Sequence, residues 1–332
     1  MTPLAPHLTA FLRQHLPVER RASPATLDTY AHALRLLVCY AAERLGAQPS
    51  QLDVEALDAP LVLDFLKHLE TGRGNSARTR NARLAAVTSL FRYLEYRLPS
   101  CLEQAGRIRA IPVKRTDEAL VQHLNREEVQ ALLDSPDPRT VSGARDRAML
   151  HLAFAAGLRV SELVGLRLDQ LHLAPQPAIH VMGKGRRERI LPLWRETATA
   201  LRAWLAVRDD ARDPALFLGA GGQVLTRAGF EYILAKHAAA AARKQPSLAG
   251  RRITPHVLRH SCAMHMLQAT HDIRRVSLWL GHASLQSTEI YLRADPTEKL
   301  EALNAATAPS LRRGQFRPPD ALLAMLQGAR KP

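Results

Sequence analysis

Cysteine is nearly absent from this chain: Cys39, Cys101 and Cys262 are odd in number and far apart, so no disulfide framework is expected and a reducing compartment is implied. Long hydrophobic runs are missing too. The stretch from Leu34 to Leu45 is broken by Arg35, Glu43 and Arg44, and nothing approaches the ~18 apolar residues of a membrane helix. Pro3, Pro6 and His7 precede any apolar stretch, which argues against a secretory signal peptide. There is no internal repeat, no low-complexity tract and no Gly-x-x-x-x-Gly-Lys-Ser/Thr loop for a nucleotide. These absences leave a cytoplasmic protein with no membrane association as the expectation.

Negative charge is also short. Lys and Arg number 46 against 31 Asp and Glu, a net +15, and most of the positive charge is Arg. Such a surplus points to a polyanionic partner, because neutralising phosphates releases condensed counterions, and Arg suits bidentate phosphate recognition. Charge alone also fits a protein that is merely basic. At 332 residues the chain has room for two domains with separate cores.

The first hundred residues read as four helices. A short one covers about Thr9 to Leu16. The second starts with Ser23 as N-cap and Pro24 at the first helical position, and ends at Gly46. The third spans about Pro60 to Glu70, and the fourth begins near Asn75 with Leu84, Val87, Leu90, Phe91 and Leu94 on one face. Arg73, Arg78, Arg80 and Arg83 cluster at its start, either as a solvated face or as a phosphate-contacting one. From Pro99 to Val121 periodicity fades, and Arg107, Arg109, Lys114 and Arg115 suggest an exposed basic linker, whose Lys114 and Arg115 join the candidate DNA contacts.

A second domain then opens with Asn125 as N-cap and Glu128 completing a capping box. Helices are expected at about Ser142–Ala156, Glu162–Leu168, Glu196–Val207, Arg227–Arg243, Pro255–Ala269 and Ile273–Leu280. A hairpin of strands Ala178–Met182 and Arg189–Leu193 turns at Gly183-Lys184-Gly185. Leu322, Leu323, Met325 and Leu326 suggest one last small helix. The fold class is therefore mainly α with a small β-sheet.

Four pieces of this domain carry candidate chemistry. In Gly157-Leu158-Arg159-Val160-Ser161-Glu162-Leu163, Gly157 reads as a helix C-cap and Ser161 as the next N-cap, which aims Arg159 from a helix junction. Lys184 projects from a glycine-flanked turn. In Thr254-Pro255-His256-Val257-Leu258-Arg259-His260 the basic side chains fall on one face near a helix N-terminus. Leu280-Gly281-His282 is followed nine residues later by Tyr291. Taken singly, each has an ordinary explanation: a capping arginine, a solvated lysine, a basic surface, a packed tyrosine.

Their joint order does not. Arg, a hairpin Lys, His-x-x-Arg, Gly-His and then Tyr resembles the catalytic signature of the tyrosine recombinase, or phage integrase, family. The local strings are similar to its bacterial Xer-type members, and the basic helical N-terminal part resembles the family's core-binding domain. The resemblance implies a core-binding domain over 1–106, a basic linker over 107–122, a catalytic domain over 123–306, and a tail over 307–332 that either is exchanged between neighbouring protomers or packs on its own chain. It implies transesterification through Tyr291 to a 3′-phosphotyrosine and a free 5′-hydroxyl, by way of a Holliday junction, in integration, excision or dimer resolution. Arg159 and Arg259 would clamp the non-bridging oxygens, Lys184 would protonate the leaving oxygen, His256 would assist proton transfer, and His282 would bond the phosphate. Glu162 would orient a neighbour such as Arg259 or His256. No cofactor or metal is implied; a zinc site at His256 and His260 is disfavoured by neighbouring Arg259. The partners implied are double-stranded DNA and a homotetramer, or a heterotetramer with a sister recombinase. The chain leaves no room for the arm-binding domain of larger phage integrases, so a Xer-like or mobile-element recombinase is expected. A type IB topoisomerase, a non-catalytic accessory protein and a basic transcription factor are the rivals.

Overall fold

The computed structural model describes residues 1–117, 120–183, 187–208, 213–219, 221–282 and 284–295. The chain divides into two units, Met1–Glu118 and the remainder from Ala119. No described helix is long and apolar enough to cross a membrane.

The first unit begins with α1, Leu4–Ala10, which continues as a π-helical stretch, Phe11–Glu19. Helix thus starts earlier and runs longer than the Thr9 to Leu16 expected from sequence. Pro6 lies in the first turn, where its missing N–H costs nothing, and the wider π spacing accommodates Pro17. The next helices follow their local signals. α2 is Pro24–Leu45, where Ser23 Oγ accepts from Thr26 N at 3.3 Å and Gly46 closes the end at φ +62°. α3 is Ala59–Thr71 and α4 is Ala77–Arg97. Leu37, Phe65, Leu90 and Phe91 are fully buried where these three helices meet.

One expectation is corrected in this unit. The supposed linker begins with another helix, α5, Leu102–Arg109, packed on α3 and α4 through Ala105 and Ile108. Two small apolar contacts were too few to register as periodicity. Arg107 and Arg109 face outward, and Arg109 pairs with Glu95 at 2.8 Å. The exposed stretch starts only after Ile111, and its first residues are strapped down: Arg80 Nη1 donates to Pro112 O at 2.7 Å and Asn81 Nδ2 to Lys114 O at 2.8 Å.

The second unit opens with α6, Arg126–Leu133, whose Asn125–Glu128 capping box is present as expected. α7, Val141–Ala155, is the central helix and packs on α6, on α9, Arg195–Val207, and on α11, Pro255–Thr270. It is buried nearly all round, and its Arg145 and Asp146 pair internally. Asp146 Oδ1 accepts from Arg145 Nη2 at 2.7 Å, and Asp146 Oδ2 lies 2.9 Å from Nε2 of His237 on α10, Arg227–Ala242. α8, Val160–Val164, is shorter than the expected Glu162–Leu168 and ends at Gly165. The sheet gains a strand: β1, Leu171–His172, pairs antiparallel with β2, Ala178–Met182, which pairs with β3, Glu188–Pro192. Two residues of β1 are below any sequence-readable pattern. Val181 faces Arg189 across the hairpin and Met182 faces Glu188. The described residues end with α12, Ile273–Leu280, and the short α13, Glu289–Ala294. The fold class is as expected, mainly helical with a small antiparallel sheet.

Candidate active site

The site is assembled where helix ends meet. α7 stops because Gly157 turns to φ +55°, and a Cβ there would lie 2.7 Å from Leu280 Cδ2 and 3.1 Å from Cys262 Sγ. Only glycine fits both the left-handed backbone and this close approach. The N-cap of α8 is Arg159 rather than the Ser161 expected from sequence, because Glu162 Oε2 accepts from the backbone N of Arg159 at 2.9 Å.

Glu162 is the hub. Its other oxygen accepts from Arg159 Nη1 at 2.8 Å, and Arg189 on β3 reaches the carboxylate through Nη2 at 2.8 Å and Nη1 at 3.3 Å. Arg259 Nη1 stands 4.0 Å away. Of the two expected partners, Arg259 is an ion-pair partner at this longer distance, and Arg159 and Arg189 make the direct hydrogen bonds. Burial pushes the Glu162 carboxyl up, but the hydrogen bonds and charge of Arg189 and Arg159 outweigh it and hold it below the usual range. Three guanidinium groups around one carboxylate leave a local surplus of positive charge, suited to a tetrahedral anion.

α11 supplies the next group. Thr254 Oγ1 caps Val257 N at 3.3 Å, and Pro255 occupies the first helical position. Arg259 turns inward, 4% exposed, and donates from Nη1 to Gly157 O and from Nη2 to Leu280 O at 2.8 Å. Burial and the charge of Arg159 lower it to about 10, against the pull of Glu162 and Tyr291, so it stays protonated at neutral pH. His256 is exposed and makes no hydrogen bond to any described residue. Its ring stacks at 6.3 Å on that of His260.

Tyr291 on α13 is 1% exposed. Its hydroxyl is hydrogen-bonded to His260 Nδ1 at 2.9 Å, and the His282 ring lies parallel to it, 6.5 Å between centroids. Burial raises the phenol to about 12, although Arg259 and Arg159 pull it down. His282 Nδ1 lies 2.8 Å from Thr288 Oγ1, and burial followed by Arg259 and Arg159 lowers its imidazole to about 4. The structure thus brings together Arg159, Glu162, Arg259, His282 and Tyr291. Lys184 lies outside the described residues. The hairpin base next to it reaches the cluster, since a Cβ at Gly183 would stand 3.5 Å from Glu162 Oε1.

Two residues escaped the sequence reading. Arg189 shares its strand face with buried Leu191, and an arginine on the inward phase of a strand was the available signal. His260 was noted on the helix face, but its contact with Tyr291 spans 31 residues. Among the described residues no group of three or more His, Cys, Asp or Glu side chains is arranged to hold a metal ion. Of the six candidate DNA-contacting residues, Arg73, Arg78, Lys114 and Arg115 are exposed, Arg83 is half-buried, and Arg80 is buried against Pro112. Lys114 is paired with Glu70 at 2.8 Å.

Residues 122–298 match the profile of the Phage integrase family, and residues 8–97 match that of the Phage integrase, N-terminal SAM-like domain. The chain belongs to the phage integrase family of tyrosine recombinases. It is 44% identical over 323 residues to a putative integrase/recombinase, y4rC, of Sinorhizobium fredii, with 97% of each chain covered. It is 35% identical to the tyrosine recombinase XerC of Pelobacter propionicus, covering 92% of this chain and 96% of that one. Among solved structures, the XerH site-specific recombinase bound to a palindromic difH substrate, in a post-cleavage complex, matches with a TM-score of 0.65 and 26% identity over 86% of this chain and 81% of that one. The tyrosine recombinase family cleaves and rejoins DNA, and this chain is an enzyme of that kind.

Proposed function

We propose that the chain binds double-stranded DNA at specific sites and recombines it through a phosphotyrosine at Tyr291. The observation that carries this reading is a buried phenol beside a cluster of three guanidinium groups, Arg159, Arg189 and Arg259, that shares one carboxylate. Tyr291 Oη attacks phosphorus, and the bond to the 5′-oxygen breaks. Arg159 and Arg259 bind the non-bridging oxygens, and Lys184 gives the leaving oxygen its proton. His282 bonds the phosphate from the side opposite Thr288, and His256, exposed at the start of α11, assists proton transfer. Because the enzyme-linked 3′-phosphate keeps the bond energy, religation needs no nucleotide. Tyr291 is covered in this structure, so DNA docking has to open a path to its hydroxyl.

Two duplexes exchanging strands by way of a Holliday junction require four active sites, hence a tetramer on the DNA. The 307–332 tail lies outside the described residues, and its exchange between neighbours is part of the same proposal. A cavity of about 990 Å³ bordered by α6, α7, α9 and α11, with Val129, Leu133, Phe154 and Met266 in its walls, is apolar enough to receive the tail's Leu322 to Leu326 set. The core-binding domain of the proposal extends past 106 to take in α5 and Ile111, the basic linker shortens to the residues after it, and the catalytic domain keeps its 123–306 bounds.

The test is an SDS-resistant adduct assay on nicked duplexes drawn from DNA flanking the gene, with wild type beside Tyr291→Phe. A covalent protein–DNA band in wild type alone supports the reading. Salt-sensitive binding with no band on any duplex, even with candidate partner recombinases added, would move the accessory-protein reading ahead.

A further inference from the structure

The transesterification needs a proton acceptor for the phenol, and the geometry points to His260, rather than His256, as that acceptor. This inference rests on the recombinase reading and deepens it. His260 Nδ1 is 2.9 Å from Tyr291 Oη, within the reach required of a general base, and the two rings meet edge-on at 5.6 Å. His256 sits one helical turn earlier, exposed, and makes no hydrogen bond to a described residue.

The surroundings keep the ring neutral. His260 is faced by His256 and Arg259 on its own helix, by His123 from the segment before α6, by His282 just after α12 and by Tyr291 on α13. Burial, followed by His256, Arg259 and His123, lowers its imidazole to about 4, so the ring is neutral at physiological pH and a nitrogen lone pair is free to accept. With the hydrogen on Nε2, the hydroxyl donates to Nδ1. During cleavage the O–H bond breaks, its electron pair forms the O–P bond, and the proton passes to Nδ1 to give an imidazolium. The P–O5′ pair leaves with the oxygen, which takes its proton from the general acid. In religation the 5′-hydroxyl attacks, and the imidazolium returns its proton to the departing phenolate. The resting phenol, raised to about 12, holds almost no phenolate of its own at neutral pH, so the acceptor matters.

The experiment compares single-turnover cleavage of a nicked duplex by wild type, His260→Ala and His260→Asn between pH 6.5 and 9.5. Thermal unfolding and salt-dependent DNA binding of each protein are measured alongside. Wild type is expected to be nearly flat with pH. Both variants are expected to bind DNA and to cleave slower at pH 7 by about 10²–10⁴-fold, the usual contribution of a positioned acid or base. Their rates should climb about tenfold per pH unit, because hydroxide must now remove the proton. A substrate with sulfur at the 5′-bridging position, which needs no protonation to leave, should restore a Lys184→Ala variant and leave the His260 variants slow. Recovery of the wild-type rate in His260→Asn, which keeps an acceptor near the hydroxyl but takes up no proton, would reduce His260 to a positioning group and overturn the inference. So would cleavage by His260→Ala at or above the wild-type rate, the mark of a histidine that merely locks Tyr291 in place. If wild type itself forms no adduct, the recombinase reading fails; if it does and the variants match it, only this inference falls.

Discussion

Replacing Glu162 with Gln removes one negative charge from the middle of the site while preserving its volume. The side chain is 5% exposed and faces the guanidinium groups of Arg159 and Arg189 at 2.8 Å and of Arg259 at 4.0 Å. A glutamine keeps one acceptor oxygen but turns an amide donor toward guanidinium donors, leaving buried charge uncompensated. Breaking a buried pair costs about 3–5 kcal/mol. Arg159, with 27% of its side chain exposed, can turn to water, so the lower end, about 3 kcal/mol, applies. For a unit of this size that corresponds to a fall in Tm of roughly 6–12 °C. Trp194, Trp204 and Trp279 all lie in the second unit, so tryptophan fluorescence on heating reports that transition selectively. The sign with pH is fixed by the lowered carboxyl of Glu162. Its stabilisation is complete above the ordinary carboxylate range and is lost as pH falls through the folded value, whereas Gln does not titrate. The gap between wild type and variant is therefore wide at pH 7 and narrows in acid. A loss under about 0.5 kcal/mol at pH 7, or a gap that widens in acid, would refute the account of Glu162 as the group that holds the arginines.

Gly157→Ala should destabilise the second unit by about 2–4 kcal/mol, from the positive φ plus the clash with Leu280 and Cys262. Gly46→Ala, at φ +62° with nothing within 4 Å, should cost the first unit only about 1 kcal/mol; equal unfolding shifts would refute the contact argument. Arg78→Ala should make the salt slope of DNA binding shallower by about 0.9, the share of one neutralised phosphate. Arg80→Ala should leave that slope alone and lower Tm instead, because its guanidinium is spent on Pro112 O; a changed slope in equilibrium titrations would place Arg80 on DNA. Arg259→Lys should lose both cleavage and stability, the latter by about 2–4 kcal/mol, since one ammonium cannot replace the bonds to Gly157 O and Leu280 O. Arg159→Lys should lose cleavage with a much smaller Tm change, and equal stability losses in the two variants would contradict the structure.

What could be read from sequence was what is decided within three or four residues. Ser23 before Pro24, Asn125 with Glu128, and Thr254 before Pro255 each satisfy a backbone N–H locally, and each marks a helix start where expected. The features that escaped depend on distant partners. α5 holds its place through Ala105, Ile108 and the bonds from Gln104 Nε2 to Val54 O and Leu57 O, some 50 residues away. β1 exists only as the partner of β2. Arg80 looked like one of four equivalent arginines, and only the fold of residues 112–114 over α4 sets it apart. The candidate site residues were legible as an ordered set, but their pairing was not. Glu162 joins Arg189 across 27 positions, and His260 joins Tyr291 across 31.

That difference has a physical source in how the site is anchored. Arg259 carries five N–H donors, and two of them are already committed to the carbonyls of Gly157, just past α7, and Leu280, the last residue of α12. Helix C-termini leave such carbonyls without intrahelical partners, so a buried arginine there settles two helix ends at once. The same side chain then has only its remaining donors for a phosphate, held where the two helix ends fix them. Glu162 is used twice in the same way, capping α8 through the backbone of Arg159 while gathering Arg159 and Arg189. A charge cluster built from groups that also terminate helices needs no separate scaffold, and its geometry is as rigid as the packing of α7, α8, α11 and α12. The arrangement predicts that substitutions within it will rarely separate folding from chemistry. Exposed His256 and partly exposed Arg159 are the positions where that separation is most complete.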